Sequence, residues 1–281
     1  MTRRSDLRST FLSLHHEPPA TPTPRTLAIP NPWDVGSARL LQQAGARALA
    51  TTSAGFAASL GRLDQNVTRD EVLAHAVELA AAVDIPLSVD AEGGFGQTPA
   101  EVAESIALFA ATDVAGCSIE DWDASTQSIR SLGDTIERFA AARGAADDLV
   151  LTGRADGLIH GNDDLDDAIV RLQALRDAGA DVVYAPGLVA AADIARVVDE
   201  LGVPVNVLAL PGTPSIPELA ELGVARVSVG NLFTSAAYGA LMSAAHEMLG
   251  PGTHTYVSGV LDGATSRAAF AADTTNAGAS Q

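Results

Sequence analysis

Two carboxylates stand two residues apart at the end of an apolar run, Ser88-Val89-Asp90-Ala91-Glu92, with glycines at 93, 94 and 96 behind them. If the run is a strand, its alternation puts Asp90 and Glu92 on one side. A second run ends in Cys117-Ser118-Ile119-Glu120-Asp121 and a third in Thr152-Gly153-Arg154-Ala155-Asp156. Carboxylates at neighbouring strand ends repel one another unless a cation relieves them. A hard ion bound by one or two carboxylates, waters and substrate oxygens answers that description, so Mg2+ is expected, or Mn2+ in its place. Asp90, Glu92 and Glu120 form the candidate metal group. Arg154 is the candidate clamp for a substrate carboxylate, because a planar guanidinium can make two parallel N–H bonds to it. The competing reading of Arg154 is an ion pair with the acids themselves.

These groups need a frame to bring them together. From residue 27 onward, short apolar runs alternate with longer helical ones, as in repeated βα units. Strands are expected at 27–30, 48–53, 86–90, 114–119, 149–153, 181–184, 204–208 and 226–229, the pattern of a (β/α)8 barrel, with an open doubly wound sheet as the rival. A barrel carries its active site at the C-terminal ends of its strands, where the acids above would lie. Thr68 with Glu71, and Thr98 with Pro99 and Glu101, read as capping boxes opening two helices. Gly45, Gly179, Gly202 and Gly223 read as helix ends. Residues 1–26 are expected to form an N-terminal helix and linker, 27–249 the barrel, with 235–249 its last helix, and 250–281 an appendage, disordered after about 271. His15 and His16 read as a solvated helix end.

Composition narrows the chemistry. With 35 acids against 17 bases the formal net charge is −18, which disfavours nucleic acid and anionic membranes as partners. All 17 bases are arginine. A chain without lysine has no amine for a Schiff base or for pyridoxal phosphate, and no Walker lysine. Cys117 is the one cysteine, so intramolecular disulfides and thiolate zinc sites are excluded and a cytoplasmic location is expected. No apolar stretch reaches signal or membrane-span length.

From about Leu14 to Leu249 the chain resembles the isocitrate lyase and phosphoenolpyruvate mutase superfamily. The resemblance rests on Asn31-Pro32-Trp33-Asp34, Thr52-Ser53-Ala54-Gly55, Gly61-Arg62-Leu63-Asp64 and the Asp90/Glu92, Glu120/Asp121 and Arg154 elements, in that order. It implies that Asp90 binds the metal directly while Glu92, Glu120 and Asp64 hold its water shell, and it makes Arg154, Glu120 and Asp64 the catalytic candidates. Thr52, Ser53 and Gly55 would cradle substrate oxygens, with Trp33 and Asp34 on the pocket floor. It further implies enolate chemistry beside a carboxylate, with the metal and Arg154 stabilising the oxyanion. The implied assembly is a homotetramer, a pair of dimers that exchange the helix after strand eight.

Departures from that pattern point away from isocitrate lyase activity itself. The lyases' Lys-Lys-Cys-Gly-His loop is missing; residues 122–130 carry no Cys, His or Lys. Cys117 lies inside a strand and reads as a packing residue. Strand six ends in Tyr184-Ala185-Pro186-Gly187 where the lyases present a glutamate. Asn206 is the polar candidate facing Arg154, so Tyr184 and Asn206 join the substrate-binding set. The resulting expectation is a Mg2+-dependent lyase acting on a small 2-hydroxy or 2-oxo di- or tricarboxylate. Its alternatives are phosphonopyruvate-type C–P chemistry and a barrel that binds a carboxylate without turning it over.

Overall fold

A computed structural model describes residues 2–16 and 26–271. The apolar runs become strands because both faces are covered: β1 (Leu27–Ile29), β2 (Leu49–Ala50), β3 (Leu87–Asp90), β4 (Gly116–Glu120), β5 (Val150–Arg154), β6 (Val182–Tyr184), β7 (Val205–Leu208) and β8 (Arg226–Ser228). All pair in parallel, in the order β1-β8-β7-β6-β5-β4-β3-β2. At the remaining seam the Ala50 N–H donates to Pro30 O at 3.3 Å, so the eight strands form a nearly closed barrel. A (β/α)8 barrel is therefore the fold, and the open sheet is excluded.

The helices are α1 (Arg3–His16), α2 (Val35–Gln43), α3 (Ser53–Ser59), α4 (Arg69–Ala82), α5 (Pro99–Ala110), α6 (Leu132–Ala145), α7 (Leu165–Asp177), α8 (Ala191–Leu201), α9 (Ile216–Glu221), α10 (Leu232–Leu249) and α11 (Gly263–Phe270). The two expected capping boxes open α4 and α5, each satisfying backbone N–H groups that the first helical turn leaves unpaired. Gly45, Gly179, Gly202 and Gly223 all take positive φ behind helices, the conformation that lets the chain reverse into the next strand.

One strand expectation was too long. The chain leaves β2 after Ala50, and Thr52, expected inside a strand at 48–53, instead caps α3 by accepting from the Gly55 N–H at 3.2 Å. Threonine suits a strand and a helix cap alike, and here the cap wins.

Helix α1 plugs the foot of the barrel. Leu7, Phe11 and Leu14 pack on Leu27, Ile29, Ala48, Ala115, Val150 and Val182, and Arg8 donates to Val114 O and Ala110 O and pairs with Asp148. His15, expected to be solvated, is buried at 6% exposure: its Nδ1 lies 2.8 Å from Phe11 O and its ring stands edge-on to Phe11. A larger cluster fills the layer between strands and helices, Cys117 among it; burial pushes that thiol up to about 12, which fits packing.

Helix α10 begins at Leu232, before the expected 235, and buries only Thr234; Phe233, Tyr238, Leu241, Met242, Met248 and Leu249 are exposed. The appendage folds in part, with α11 packed on α2. Residues 272–281, expected to be disordered, lie outside the described residues. Among the described residues no helix is long and apolar enough to cross a membrane.

Candidate active site

The C-terminal ends of the strands open into a cavity of about 270 Å3. Its walls include Thr52, Ser53, Asp64, Asp90, Ser118, Arg154, Tyr184, Asn206, Arg226 and Ser228. Seven of these, Thr52, Ser53, Asp64, Asp90, Arg154, Tyr184 and Asn206, are residues that the sequence reading singled out. Strand register explains the grouping. Glu120, Arg154, Tyr184, Asn206 and Arg226 occupy one continuous row of paired positions across β4 to β8.

Asp90 is held at four points. Its carboxylate accepts the Ser53 N–H at 3.1 Å, at the first residue of α3, and Arg154 Nη1 at 3.0 Å. Its N–H donates to Thr51 Oγ1 at 2.9 Å, and the Ser118 hydroxyl lies 3.4 Å from Oδ1. Arg154 also pairs with Glu120 through Nη2 at 3.0 Å and with Asp156 through Nη2 at 2.7 Å and Nε at 3.2 Å. The ion-pair reading of Arg154 is thus what the structure shows. Burial alone would lower its pKa, but Asp156, Glu120 and Asp90 outweigh that and hold the guanidinium charged. The Tyr184 ring lies 5.4 Å from Arg154 Cζ, and burial raises its phenol, so it stays a neutral donor.

One guanidinium faces an excess of acids. Burial pushes Glu120 well above the usual carboxylate range, with Asp156, Asp90 and Glu92 adding to the shift and Arg154 opposing it. Burial, then the charge of Asp90, raises Asp64, whose carboxyl is hydrogen-bonded by the Ser53 side chain. Glu92 is 6% exposed and pushed up to about 8, by burial first and then by Asp90 and Asp64. Among the described residues its buried Oε1 has no hydrogen-bond partner.

Glu92 lies beyond β3, not within it. The strand ends at Asp90, and Glu92 has φ 47°, so alternation no longer applies. Glu92 lines a second cavity with Gln65 and Trp122, and the charges of Asp90 and Asp64 still reach it. Glu120 is likewise outside the main cavity wall and reaches it through Arg154, its other oxygen accepting Gln65 Nε2 at 3.0 Å. Among the described residues, no three acidic, His or Cys side chains converge tightly enough to hold an ion as a cage. The expected arrangement, with Asp90 as the direct ligand and Glu92 and Glu120 around the ion's waters, does not need such a cage. An all-oxygen donor set, an unpartnered buried carboxylate oxygen and acids that raise one another's pKa still fit a hydrated Mg2+, which needs only one or two carboxylates.

Three other expectations fall on scaffold residues. Asp34 caps α2 by accepting the Ser37 N–H at 2.6 Å, and neither it nor Trp33 lines the cavity. A Cβ on Gly55 would stand 2.6 Å from both Thr234 Oγ1 and Thr52 Cγ2 and 3.3 Å from Trp33 Cβ, so Gly55 permits close packing of α3 and does not line the cavity. Asp121 joins β4 to β5 and α7, accepting the Asp156 N–H at 2.8 Å and Arg171 Nη1 at 3.2 Å. Residues 122–130 form a hairpin of Trp122–Asp123 against Ser128–Ile129. Arg130 ties it down to Asp123 at 3.1 Å and Asp134 at 3.2 Å, and Trp122 stacks on His160 with ring centroids 3.5 Å apart.

Sequence reasoning missed Arg226 and Gln65, and it quoted Asp156 and Asn31 within motifs without giving either a role. Asp156 sits two residues beyond Arg154, a spacing that could have identified it. Asn31 ties β1 to its neighbours, donating to Thr51 O at 3.0 Å and accepting the Val229 and Gly230 N–H groups.

Residues 11–249 match the sequence profile of phosphoenolpyruvate phosphomutase. An uncharacterised Mycobacterium tuberculosis protein is 33% identical over 238 residues, which span 84% of this chain and 86% of that one. The 2-methylisocitrate lyase of Salmonella typhimurium is 31% identical over 225 residues, 75% of each chain. A solved structure from Burkholderia cenocepacia J2315, provisionally assigned as a lyase/mutase, superposes with TM-score 0.90 at 45% identity and covers 96% of this chain and 98% of its own.

Proposed function

The chain belongs to the phosphoenolpyruvate phosphomutase family, within the isocitrate lyase and PEP mutase superfamily, and from that premise we propose that it is a Mg2+-dependent carbon–carbon lyase acting on a small 2-hydroxy or 2-oxo acid. The observation that carries the reading is the charge imbalance around Asp90: five acids, Asp64, Asp90, Glu92, Glu120 and Asp156, gather about Arg154, and among the described residues a buried Glu92 oxygen has no partner. Gathering acids this way is costly without a cation.

Asp90 would hold the ion, with Glu92, Glu120 and Asp64 around its waters; Mn2+ suits the same donors. When bound, the metal supplies Lewis-acid stabilisation to an oxyanion developing beside the substrate carboxylate. The remaining work falls to side chains. Arg154 exchanges part of its pairing with Asp90 and Glu120 for the substrate's carboxylate and keeps its orientation through Asp156. Thr52 and Ser53 present a hydroxyl and a helix N-terminus to substrate oxygens. Tyr184 and Asn206 close the far wall with neutral hydrogen-bonding groups, so a substrate's variable half meets no added negative charge there.

The homotetramer expected from the resemblance is part of the proposal. Its support is the exposed apolar face of α10, together with an apolar cavity of about 750 Å3 beside β1 and β8, lined by Leu27, Ile29, Leu41, Ile216 and Val227 among others. A second copy's α10 is the occupant whose chemistry matches.

The test is release of a 2-oxo acid by the purified protein with Mg2+ from oxaloacetate, 2-methylisocitrate, 2,3-dimethylmalate and phosphonopyruvate, with Asp90→Ala as control. Metal-dependent cleavage of a carbon–carbon bond, lost in the control, is the expected result. Turnover of phosphonopyruvate alone would move the protein to C–P chemistry. Binding of pyruvate with no turnover of any compound would make it a carboxylate-binding barrel.

A further inference from the structure

The cavity contains a second cation, and the chemistry proposed above does not use it. Arg226 opens β8, is 4% exposed, and lines the cavity beside Asn206 and Ser228. Its Nε donates to Asn206 Oδ1 at 2.8 Å, and its Nη1 lies 3.4 Å from His15 Nε2. Asn206 is fixed in turn, since its Nδ2 donates to Ser228 Oγ at 3.0 Å.

Both of these partners are neutral. Burial first, and the charge of Arg226 next, push His15 down to about 3, so its imidazole carries no charge at neutral pH. Burial lowers Arg226 to about 10, which leaves the guanidinium charged there. The contrast with the cavity's other guanidinium is sharp: Arg154 meets Asp90, Glu120 and Asp156, whereas no carboxylate pairs with Arg226 among the described residues.

A buried guanidinium without a counter-charge is expensive to keep, and a neutral amide could make the same two contacts at less cost. The charge gains a purpose if an anion arrives from the cavity. We propose that Arg226, with Asn206 and Ser228 beside it, is the receptor for a second carboxylate, so that the preferred substrate is a short diacid held between the Asp90–Arg154 wall and Arg226. The inference rests on the lyase reading for the first carboxylate only. A cavity of about 270 Å3 lies below the usual range for drug-sized ligands, which favours a short acid over a bulky one.

The experiment uses two stable probes that differ only in the distal charge, malate and its distal monoamide, titrated calorimetrically into the full chain with and without Mg2+. Wild type is expected to bind malate at least about tenfold more tightly than the amide, the scale of one charge-assisted pair. Arg226→Gln is expected to reduce that preference to below about threefold, with its melting curve establishing that it is folded. If the variant does not fold, the wild-type ratio decides: near unity, the proposal fails. A preference that survives in folded Arg226→Gln overturns it as well. Mg2+-dependent binding without discrimination refutes the Arg226 receptor and leaves the lyase reading standing. Discrimination that persists without Mg2+ and in Asp90→Ala supports the receptor and leaves the lyase reading to the turnover test above. Failure of both probes to bind overturns the receptor, and the lyase reading is then decided by turnover alone.

Discussion

Arg154 Nη1 lies 3.0 Å from Asp90 Oδ1, so the candidate substrate clamp and the candidate metal ligand are partners before any substrate arrives. The same guanidinium reaches Glu120 and both oxygens of Asp156, a set of contacts that depends on its planar fork. Lysine keeps the charge and loses the fork. Arg154→Lys is expected to lower kcat/KM by about 100-fold or more while the protein stays folded, measured by steady-state kinetics on whichever acid is turned over. Activity within about threefold of wild type would show that only the charge matters.

Glu92 gives the metal-free protein a pH dependence. Its folded pKa, about 8, lies above the ordinary value of 4.5, so the folded state holds the extra proton. The stability this contributes is complete below 4.5 and is lost as pH rises through 8. Glu92→Gln, which mimics the protonated form, is expected to be more stable than wild type at pH 8 without metal and close to it near pH 5. Added Mg2+ should shrink or reverse the advantage at pH 8. Urea melts at the two pH values, with and without metal, check both statements; an advantage independent of pH would refute the assignment.

Gly55 is constrained by packing. A Cβ there meets Thr52 Cγ2 and Thr234 Oγ1, each at 2.6 Å. Gly55→Ala is expected to cost about 1–3 kcal/mol, read as a lowered Tm. Thr52→Ser removes the Cγ2 and keeps the capping oxygen, so adding it to Gly55→Ala should recover part of the loss. No recovery would place the strain elsewhere.

The fold was legible because strands covered on both faces leave apolar runs in the sequence, and because Thr68, Thr98 and the four glycines behind helices mark element ends by local chemistry. The charged groups at strand ends were legible for the same reason: Asp90, Glu120 and Arg154 are the last residues of their strands. For Glu92 the alternation argument does not hold, because its positive φ, which cannot be read from a glutamate, lies beyond the end of β3. Gly55 and Trp33 sit beside the right motif, but Thr234, on a helix far along the chain, fixes what surrounds Gly55. Arg226 and His15 are 211 residues apart, and nothing local to either announces that they meet.

That contact yields the last prediction. His15 is neutral in the folded protein, its pKa near 3 against an ordinary 6.5, chiefly through burial and then through Arg226 and, more weakly, His16, with Phe11 O opposing. The unfolded chain therefore binds one more proton between those values. Stability is complete above 6.5 and falls as pH drops toward 3. Between pH 6.5 and about pH 5 the loss attributable to His15 is on the order of 2 kcal/mol. His15→Gln removes the titration while keeping a polar end that can face Arg226. The measurement is the difference in unfolding free energy between wild type and His15→Gln across that window, since other titrating groups, His75 included, largely cancel in the difference. The gap should shift steadily against wild type as pH falls. A gap that stays constant would mean that His15 is protonated in the fold, and with it that the floor of the barrel carries two positive charges rather than one.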